Sequence, residues 1–333
     1  MSAESRRTGD EFTRLADPYQ QELLAHCYRM LGSFQDAEDL VQETLIRAWR
    51  GYDKFDERSS LRTWLYRIAT NACLTALQSN HRRVLPSGLG AATESPETAD
   101  LSRADALPWL GPIPTHRLGD PQDDPAGIAA LRDSTRLALI AAFQRLPARQ
   151  RAVLLLVDVV AFRPAEAAEF LGITVTAARS LLQRARETLA QNVPDEEDTA
   201  SSSTADAALD EKIMRQYLHA FETSDTAALA ELLRLDIEYE MPPIPTWFLG
   251  RAAVVDHLSR RAFTRPRRSL ATSANGCPAV ATYSLAKNGS FAAHGIHVLE
   301  IRNGLIARIV VFLDSALFPS FGLPASLPGS PAP

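Results

Sequence analysis

Along residues 33–50, SFQDAEDLVQETLIRAWR, apolar positions return at the spacing of one helix face. Leu40, Val41, Thr44, Leu45, Ala48 and Trp49 fall on that face and are expected to point at a core. Ser33 is placed to cap the helix, and the acids after it suit the positive end of the helix dipole. Glu43 and Arg47 stand four residues apart in the favourable order. Two stretches of the same period, ELLAHCYRMLG and LRTWLYRIATNACLTAL, flank this helix, with the polar KFDERSS as a loop before the second. Helical period returns over 131–191.

In that second helical block, AFRPAEAAEFLGITVTAARSLLQRARETLAQ carries the punctuation of a helix-turn-helix. Pro164 opens a short helix, Gly172 ends it and permits a tight turn, and Thr174 or Thr176 caps the next. Ala178, Leu181, Leu182 and Ala185 are the inward positions of that second helix. Thr176, Ala177, Arg179, Ser180, Gln183, Arg184 and Arg186 are left to face outward or sideways. Arginines and hydroxyls so placed suit phosphate and base-edge contacts. An arginine-bearing helix in an ordinary all-α bundle would show the same pattern.

The last third changes period. DEKIMRQYLHAFETSDTAALAELL reads as a helical pair, IEYEMPP as a strand and RAAVVDHLSRRA as a helix. AVATYSL, FAAHGIHVLEIRNG and LIARIVVFLD read as strands, with Asn303-Gly304 suited to a hairpin turn. Helices followed by a meander indicate an α+β domain. Pro, Gly and Asp-rich residues 86–126 read as an acidic linker, within which ALPWLGPIP is unusually apolar. PDEEDTASSSTADAALD reads as a flexible one. The expected boundaries are 12–85, 86–126, 127–192, 193–210, 211–320, and a disordered tail over 321–333.

Composition narrows the classes. A chain of 333 residues, 46% hydrophobic and 23% charged, is long enough for two or three globular domains. Cys27, Cys73 and Cys277 stand far apart, which suggests neither a disulfide framework nor zinc, and fits a reducing cytoplasm. No apolar run is long enough to span a membrane, and no His/Asp cluster has metal-ligand spacing. The net charge of −5 hides local contrast: residues 58–83 hold five arginines and no acid, whereas 86–126 hold seven acids and two arginines. Local basic faces of this kind are what nucleic-acid binding depends on.

Taken together, DAEDLVQETLIRAWRGYDKF, LRTWLYRIATNACLTAL and LPARQRAVLLLVDVVAFRPAEAAEFLGITVTAARSLLQRARETL resemble regions 2 and 4 of bacterial sigma-70 family RNA polymerase sigma factors of the extracytoplasmic-function class. Order, spacing and the intervening linker match over roughly 12–192. Residues 211–320 are similar to the SnoaL-like cone fold, through MPPIPTWFLGRAAVVDHL and GLIARIVVFLD. The implied architecture is two all-α sigma domains, a region 2 helical bundle and a region 4 helix-turn-helix, followed by an α+β SnoaL-like cone domain. One departure from the family pattern is Leu181, where a basic residue often follows the recognition-helix serine.

The resemblance implies that the chain is a DNA-binding initiation factor and not an enzyme. It would bind RNA polymerase core, recognise −35 and −10 promoter elements and start transcription in the cytoplasm. Asp36, Asp39, Gln42, Glu43 and Arg47 would then meet polymerase. Lys54, Arg58, Arg62, Trp64, Arg67, Arg82 and Arg83 would meet DNA around the −10 element, although core packing explains Trp64 equally well. Thr174, Thr176, Arg179, Ser180, Gln183, Arg184 and Arg186 would read the −35 element. The C-terminal domain is expected to regulate from within the chain, with a small-molecule isomerase or cyclase as the alternative. Its candidate pocket residues are Glu240, Trp247, His257, Tyr283, His297 and Asp314, with Met241 and Phe248 as wall. No cofactor is expected. Whether the pocket takes a small-molecule ligand, and whether an anti-sigma protein is a partner, stay open.

Overall fold

The computed structural model describes residues 11–55, 59–79, 82–93, 95–119, 133–191 and 204–329. The chain divides into two interleaved compact units. One is built from residues 1–83 and 116–193, the other from 84–115 and 194–333.

In the first unit, helices α1 (Gln20–Leu31), α2 (Phe34–Gly51) and α3 (Leu61–Ser79) pack on one another. Gly32 ends α1 in a left-handed conformation, φ 70°, and Ser33 Oγ accepts from Asp36 N at 3.3 Å to start α2. The buried arc of α2 is Phe34, Ala37, Val41, Thr44 and Ala48. Trp49, expected to face the core, is 45% exposed, and its neighbour Ile46 is 48% exposed. Trp49 lies about 100° round the helix from Ala48, beyond the edge of that arc.

Four further helices complete this unit: α4 (Leu137–Gln144), α5 (Ala148–Leu154), α6 (Pro164–Leu171) and α7 (Val175–Ala190). Helix α5 runs into a wider π turn over Leu155–Val159. Helices α4 to α6 reach the first bundle through α1 and α3.

The second unit is a sheet with helices α8 (Thr204–Thr223), α9 (Thr226–Leu232) and α10 (Arg251–Arg261). Helix α8 starts inside the stretch 193–210 that was expected to be a flexible linker. The strands are β1 (Leu233–Met241), β2 (Ile244–Leu249), β3 (Arg267–Ala274), β4 (Cys277–Leu285), β5 (Phe291–Arg302) and β6 (Leu305–Phe312). Their order is β2-β1-β6-β5-β4-β3, antiparallel except for β1 beside β6. Asn303 and Gly304, at φ 53° and 75°, make the expected β5–β6 hairpin turn. Asn275 and Gly276, at φ 55° and 72°, make a second one between β3 and β4. Tyr217 and Phe221 of α8, with Leu258 of α10, pack on Ile237, Leu299 and Ile309 of the sheet.

Two expectations about chain ends and connectors are corrected. Residues 321–329, expected as tail disorder, carry the short strand β7 (Ser326–Leu327), which pairs Leu327 with Phe291 of β5. Its free backbone groups gain partners there, which offsets the entropy of ordering it. Of the acidic linker expected over 86–126, the part up to Thr115 belongs to the second unit by contact, joined there by Val84 and Leu85. Leu85, Leu110 and Ile113 of that segment are at most 2% exposed.

Leu299 is fully buried in β5, so Leu299→Ala should cost about 2–5 kcal/mol. Chemical denaturation followed by a probe in the second unit should show that loss.

Candidate nucleic-acid interface and C-terminal cavity

On α2, Asp39 and Gln42 are exposed, and Glu43 accepts from Arg47 Nη2 at 2.6 Å. Asp36 is engaged: its Oδ2 takes Arg83 Nη2 at 2.5 Å and so ties the chain after α3 to the start of α2. The exposed polar strip Asp39–Gln42–Glu43–Arg47 therefore runs beside Ile46 and Trp49, a mixed surface of the kind that protein partners cover.

Helix α3 presents its basic side chains unevenly. Arg62 is clamped to Glu22, with Nε 3.0 Å from both carboxylate oxygens and Nη2 2.8 Å from Oε2. Its guanidinium lies 5.0 Å from the Tyr66 ring centroid and 5.1 Å from that of Phe162. Trp64 is half-buried and stacks on Phe55 at 4.9 Å, so part of its ring packs within the domain. Arg67 and Arg82 are exposed, with Arg67 3.9 Å from Glu169 of α6. Lys54 closes the short turn Tyr52–Lys54, and Arg58 lies outside the described residues.

The helix-turn-helix is α6, a left-handed Gly172 at φ 61°, and α7. Thr174 Oγ1 accepts from Ala177 N at 3.2 Å, which makes Thr174 rather than Thr176 the cap. Ala178, Leu182 and Ala185 are buried, and Leu181 is half-buried. Thr176, Arg179, Ser180, Gln183 and Arg184 are exposed along the outer face. Arg186 differs from these: it pairs with both oxygens of Asp158 in the π turn, at 2.9 and 2.6 Å. It fixes α7 against the preceding helix, whereas Arg179 has no partner among the described residues.

Sequence reasoning missed a buried polar cluster behind this face. Arg151 of α5 is 3% exposed and donates to the Met30 carbonyl at the end of α1. It also donates to Gln144 Oε1 at 2.7 Å and to the carbonyls of Gln144 and Leu146, each at 3.1 Å. Burial, with Arg82 nearby, brings its pKa down to about 10, so it stays charged at neutral pH. An arginine in ARQRAVLLL looks like a solvent-facing residue, and nothing in the local pattern marks it as the one turned inward.

In the second unit a cavity of about 190 Å³ opens between α8, α10 and the sheet. Of the expected pocket residues, His257 and His297 line it, as does Met241. His297 Nδ1 meets Tyr217 Oη at 2.8 Å and its Nε2 meets Thr282 Oγ1 at 3.3 Å. His257 stacks on Phe248, with ring centroids 4.4 Å apart.

The other expected pocket residues serve elsewhere. Glu240 is fully buried, pairs with Arg308 and accepts from Ser87 N at 2.8 Å. Trp247 Nε1 donates to the Gly90 carbonyl at 2.9 Å, and Tyr283 Oη donates to the Pro324 carbonyl at 3.0 Å. Asp314 is exposed and caps the turn that follows it, accepting from Ala316 N at 2.9 Å. Sequence reasoning did not single out Tyr239, Arg261, Arg267 or His294, which do line the cavity. Among the described residues no cluster of His, Cys, Asp and Glu could hold a metal.

Segment 84–115 is bound along this same unit. Thr93 N donates to the Trp247 carbonyl at 2.8 Å, Ala104 N to that of Pro243 at 2.8 Å, and Thr246 Oγ1 to that of Asp100 at 2.5 Å. Farther on, Ile113 N donates to Asn275 Oδ1 at 3.1 Å, and Asn275 N donates back to the Ile113 carbonyl at 2.9 Å. The apolar PWLGPIP is thus held at Ile113 on the β3–β4 turn.

Comparison with known proteins agrees with this division. The family Sigma-70 region 2 matches residues 15–83, Sigma-70, region 4 matches 136–189, and SnoaL-like domain matches 214–309. The ECF RNA polymerase sigma factor SigG of Mycobacterium tuberculosis is 45% identical over 96% of this chain and 86% of its own. The chain belongs to the extracytoplasmic-function RNA polymerase sigma factors. Another such sigma factor, SigW of Bacillus subtilis, is 29% identical over 56% of this chain and 90% of its own. The crystal structure of the Mycobacterium tuberculosis sigma factor SigJ matches 95% of this chain and 99% of its own, with a TM-score of 0.59 and 22% identity. That match shows the fold, helical sigma domains followed by an α+β SnoaL-like domain. As a sigma factor of this class, the chain serves transcription initiation. No described helix is long and apolar enough to cross a membrane.

The buried histidines set an acid limit on stability. Burial lowers His26 to about 3, with Arg29 adding to it. Burial likewise lowers His257 and His294 to about 4, helped chiefly by Arg261 for the first and Arg267 for the second. Each is neutral when folded and regains an ordinary value of about 6.5 when unfolded, so between those values the unfolded chain binds more protons. Their contribution is full above about pH 6.5 and is lost as pH falls towards the folded values. Thermal unfolding should therefore shift to lower temperature between about pH 7 and about pH 5, and His294→Gln should flatten that dependence.

Proposed function

We propose that the strip Asp39, Gln42, Glu43 and Arg47 on α2 docks on RNA polymerase core. The basic residues Arg62, Arg67, Arg82 and Arg83, with Lys54, Arg58 and Trp64, then follow the −10 region of promoter DNA. The exposed face of α7 reads the −35 element in the major groove, with Thr176, Arg179, Ser180, Gln183 and Arg184 as reading or phosphate-contacting residues. Asp36, Thr174 and Arg186 act through the helices they fix. The factor works in the cytoplasm, where polymerase is.

The C-terminal unit, in this reading, regulates the sigma modules. The observation that carries it is the seating of residues 84–115, the stretch joining the two DNA-facing modules, along the C-terminal sheet. A domain that holds the connector limits how far apart the modules can move, because a bound segment has lost the reach of a free one. A catalytic role finds less support. Glu240 is locked in an ion pair, Asp314 serves as a cap, and among the described residues no carboxylate lines the cavity to act as a general base.

Run-off transcription with core polymerase tests both parts. Full-length protein, a chain ending at Gln191, and a Thr246→Val/Trp247→Phe protein lacking two of the connector's anchors should differ in output on one promoter. Equal output from all three would remove the regulatory role. Asp39→Lys/Glu43→Lys should weaken binding to core while thermal unfolding stays put, and unchanged affinity would move the docking surface elsewhere.

Arg179→Ala should cost about 1–3 kcal/mol of promoter affinity, with selectivity lost at one base pair. Arg186→Ala should instead lower thermal stability through the loss of Asp158, weakening all sequences alike. Binding isotherms on promoter variants separate the two.

A further inference from the structure

The cavity of the C-terminal unit has a lining that its neighbours do not use up. Its walls are apolar where Phe221, Met241, Ile244 and Val311 meet. Arg267 and Arg261 also line it, and among the described residues no acidic residue does. Arg267 is oriented by its Nε, which donates to the Ala262 carbonyl at 3.0 Å. Its Nη1 is buried and has no hydrogen-bond partner among the described residues, and the same holds for His257 Nδ1. Buried polar atoms are almost always paired, so these two unpaired atoms, on two residues that line the cavity, point to a missing ligand.

Charge and size define that ligand. His257, His294 and His297 are all held neutral, first by burial, so the positive charge of the site is that of the arginines. His297 is spent on Tyr217 and Thr282 and acts as wall. The volume, about 190 Å³, exceeds the ~150 Å³ apolar cavity that holds a benzene ring by roughly one further small group.

We propose that this cavity binds a small organic monoanion, a ring-sized apolar body bearing one carboxylate, with the carboxylate on Arg267. Leu101 is part of the cavity wall and comes from the connector segment 84–115. It packs against the core cluster of the same unit, one residue after Asp100, whose carbonyl takes Thr246. A ligand filling the cavity therefore touches the connector directly and stabilises its seated state. The site stands on the cavity's own chemistry, whether or not the unit regulates transcription.

Benzoate is the probe, titrated into the full-length protein by calorimetry, with benzamide as the neutral isostere. Benzoate should bind about tenfold or more tightly than benzamide, since only the anion gains a charge-assisted bond. Arg267→Met should abolish the difference, and Arg267→Lys, which keeps the charge, should retain most of it. Leu101→Trp, which leaves Arg267 in place and takes up part of the cavity, should weaken both probes. Amide hydrogen exchange over residues 99–103 should slow with benzoate and not with benzamide. Equal affinity for the two probes, binding of neither, or a preference unchanged in Arg267→Met would overturn the proposal.

Discussion

A buried carboxylate has to be paired, and the pairing of Glu240 organises the C-terminal half of this sigma factor. Glu240 on β1 is fully buried, and the Arg308 guanidinium on the parallel neighbour β6 neutralises it. Burial works against the Arg308 charge, but Glu240, Glu300 and Glu238 outweigh it and raise its pKa. The second oxygen of Glu240 takes the amide of Ser87, and Arg308 Nη2 meets Ser87 Oγ at 3.3 Å. Removing either member of such a pair would leave a charge stranded in the interior, which costs far more than the pair contributes. The same charges that close β1 onto β6 therefore hold the first turn of the connector. Its later anchors, at Trp247, Thr246 and Asn275, extend that attachment along the unit.

The first unit repeats the device with a cation. Arg151 sits beneath the junction of α1, α4 and α5, donating to backbone carbonyls and to Gln144. Arg29 donates to Ser134 Oγ at 2.5 Å, and Gln144 Nε2 donates to the Arg29 carbonyl at 3.3 Å. Guanidinium groups fit this work because several donors in a fixed plane satisfy several helix-end carbonyls at once. Arg67, Arg179 and Arg184, by contrast, stay on the surface.

How much of this was legible beforehand follows from local periodicity. Helix α2, with Ser33 as its cap, and the Pro164–Gly172–Thr174 punctuation of the helix-turn-helix were readable because each is set by residues within one or two turns. Strands β2 and β3 were not, since Pro243 and Pro245 break the alternation of the first and arginines crowd the start of the second. The Asn275-Gly276 dipeptide was a usable hairpin signal that went unread. The cavity was half legible. Tyr239 and Met241 line it, and Glu240 between them must point to the other face of the same strand, as period-two geometry requires. Tyr283 stands in the same relation to Thr282, which bonds the cavity histidine His297. Arg267 and Leu101 reach the cavity from distant segments, and no local pattern joins them to it.

The interleaving of the two units gives the protein a history during its own synthesis. Residues 84–115 leave the ribosome before region 4 exists, yet the strands that seat them begin only at Leu233. At about 5–20 residues per second, the segment waits on the order of ten seconds for its sheet. Throughout that interval Ile113 lacks the Asn275 hydrogen bonds that hold it later. During synthesis, then, the connector segment is complete in sequence well before the strands that seat it.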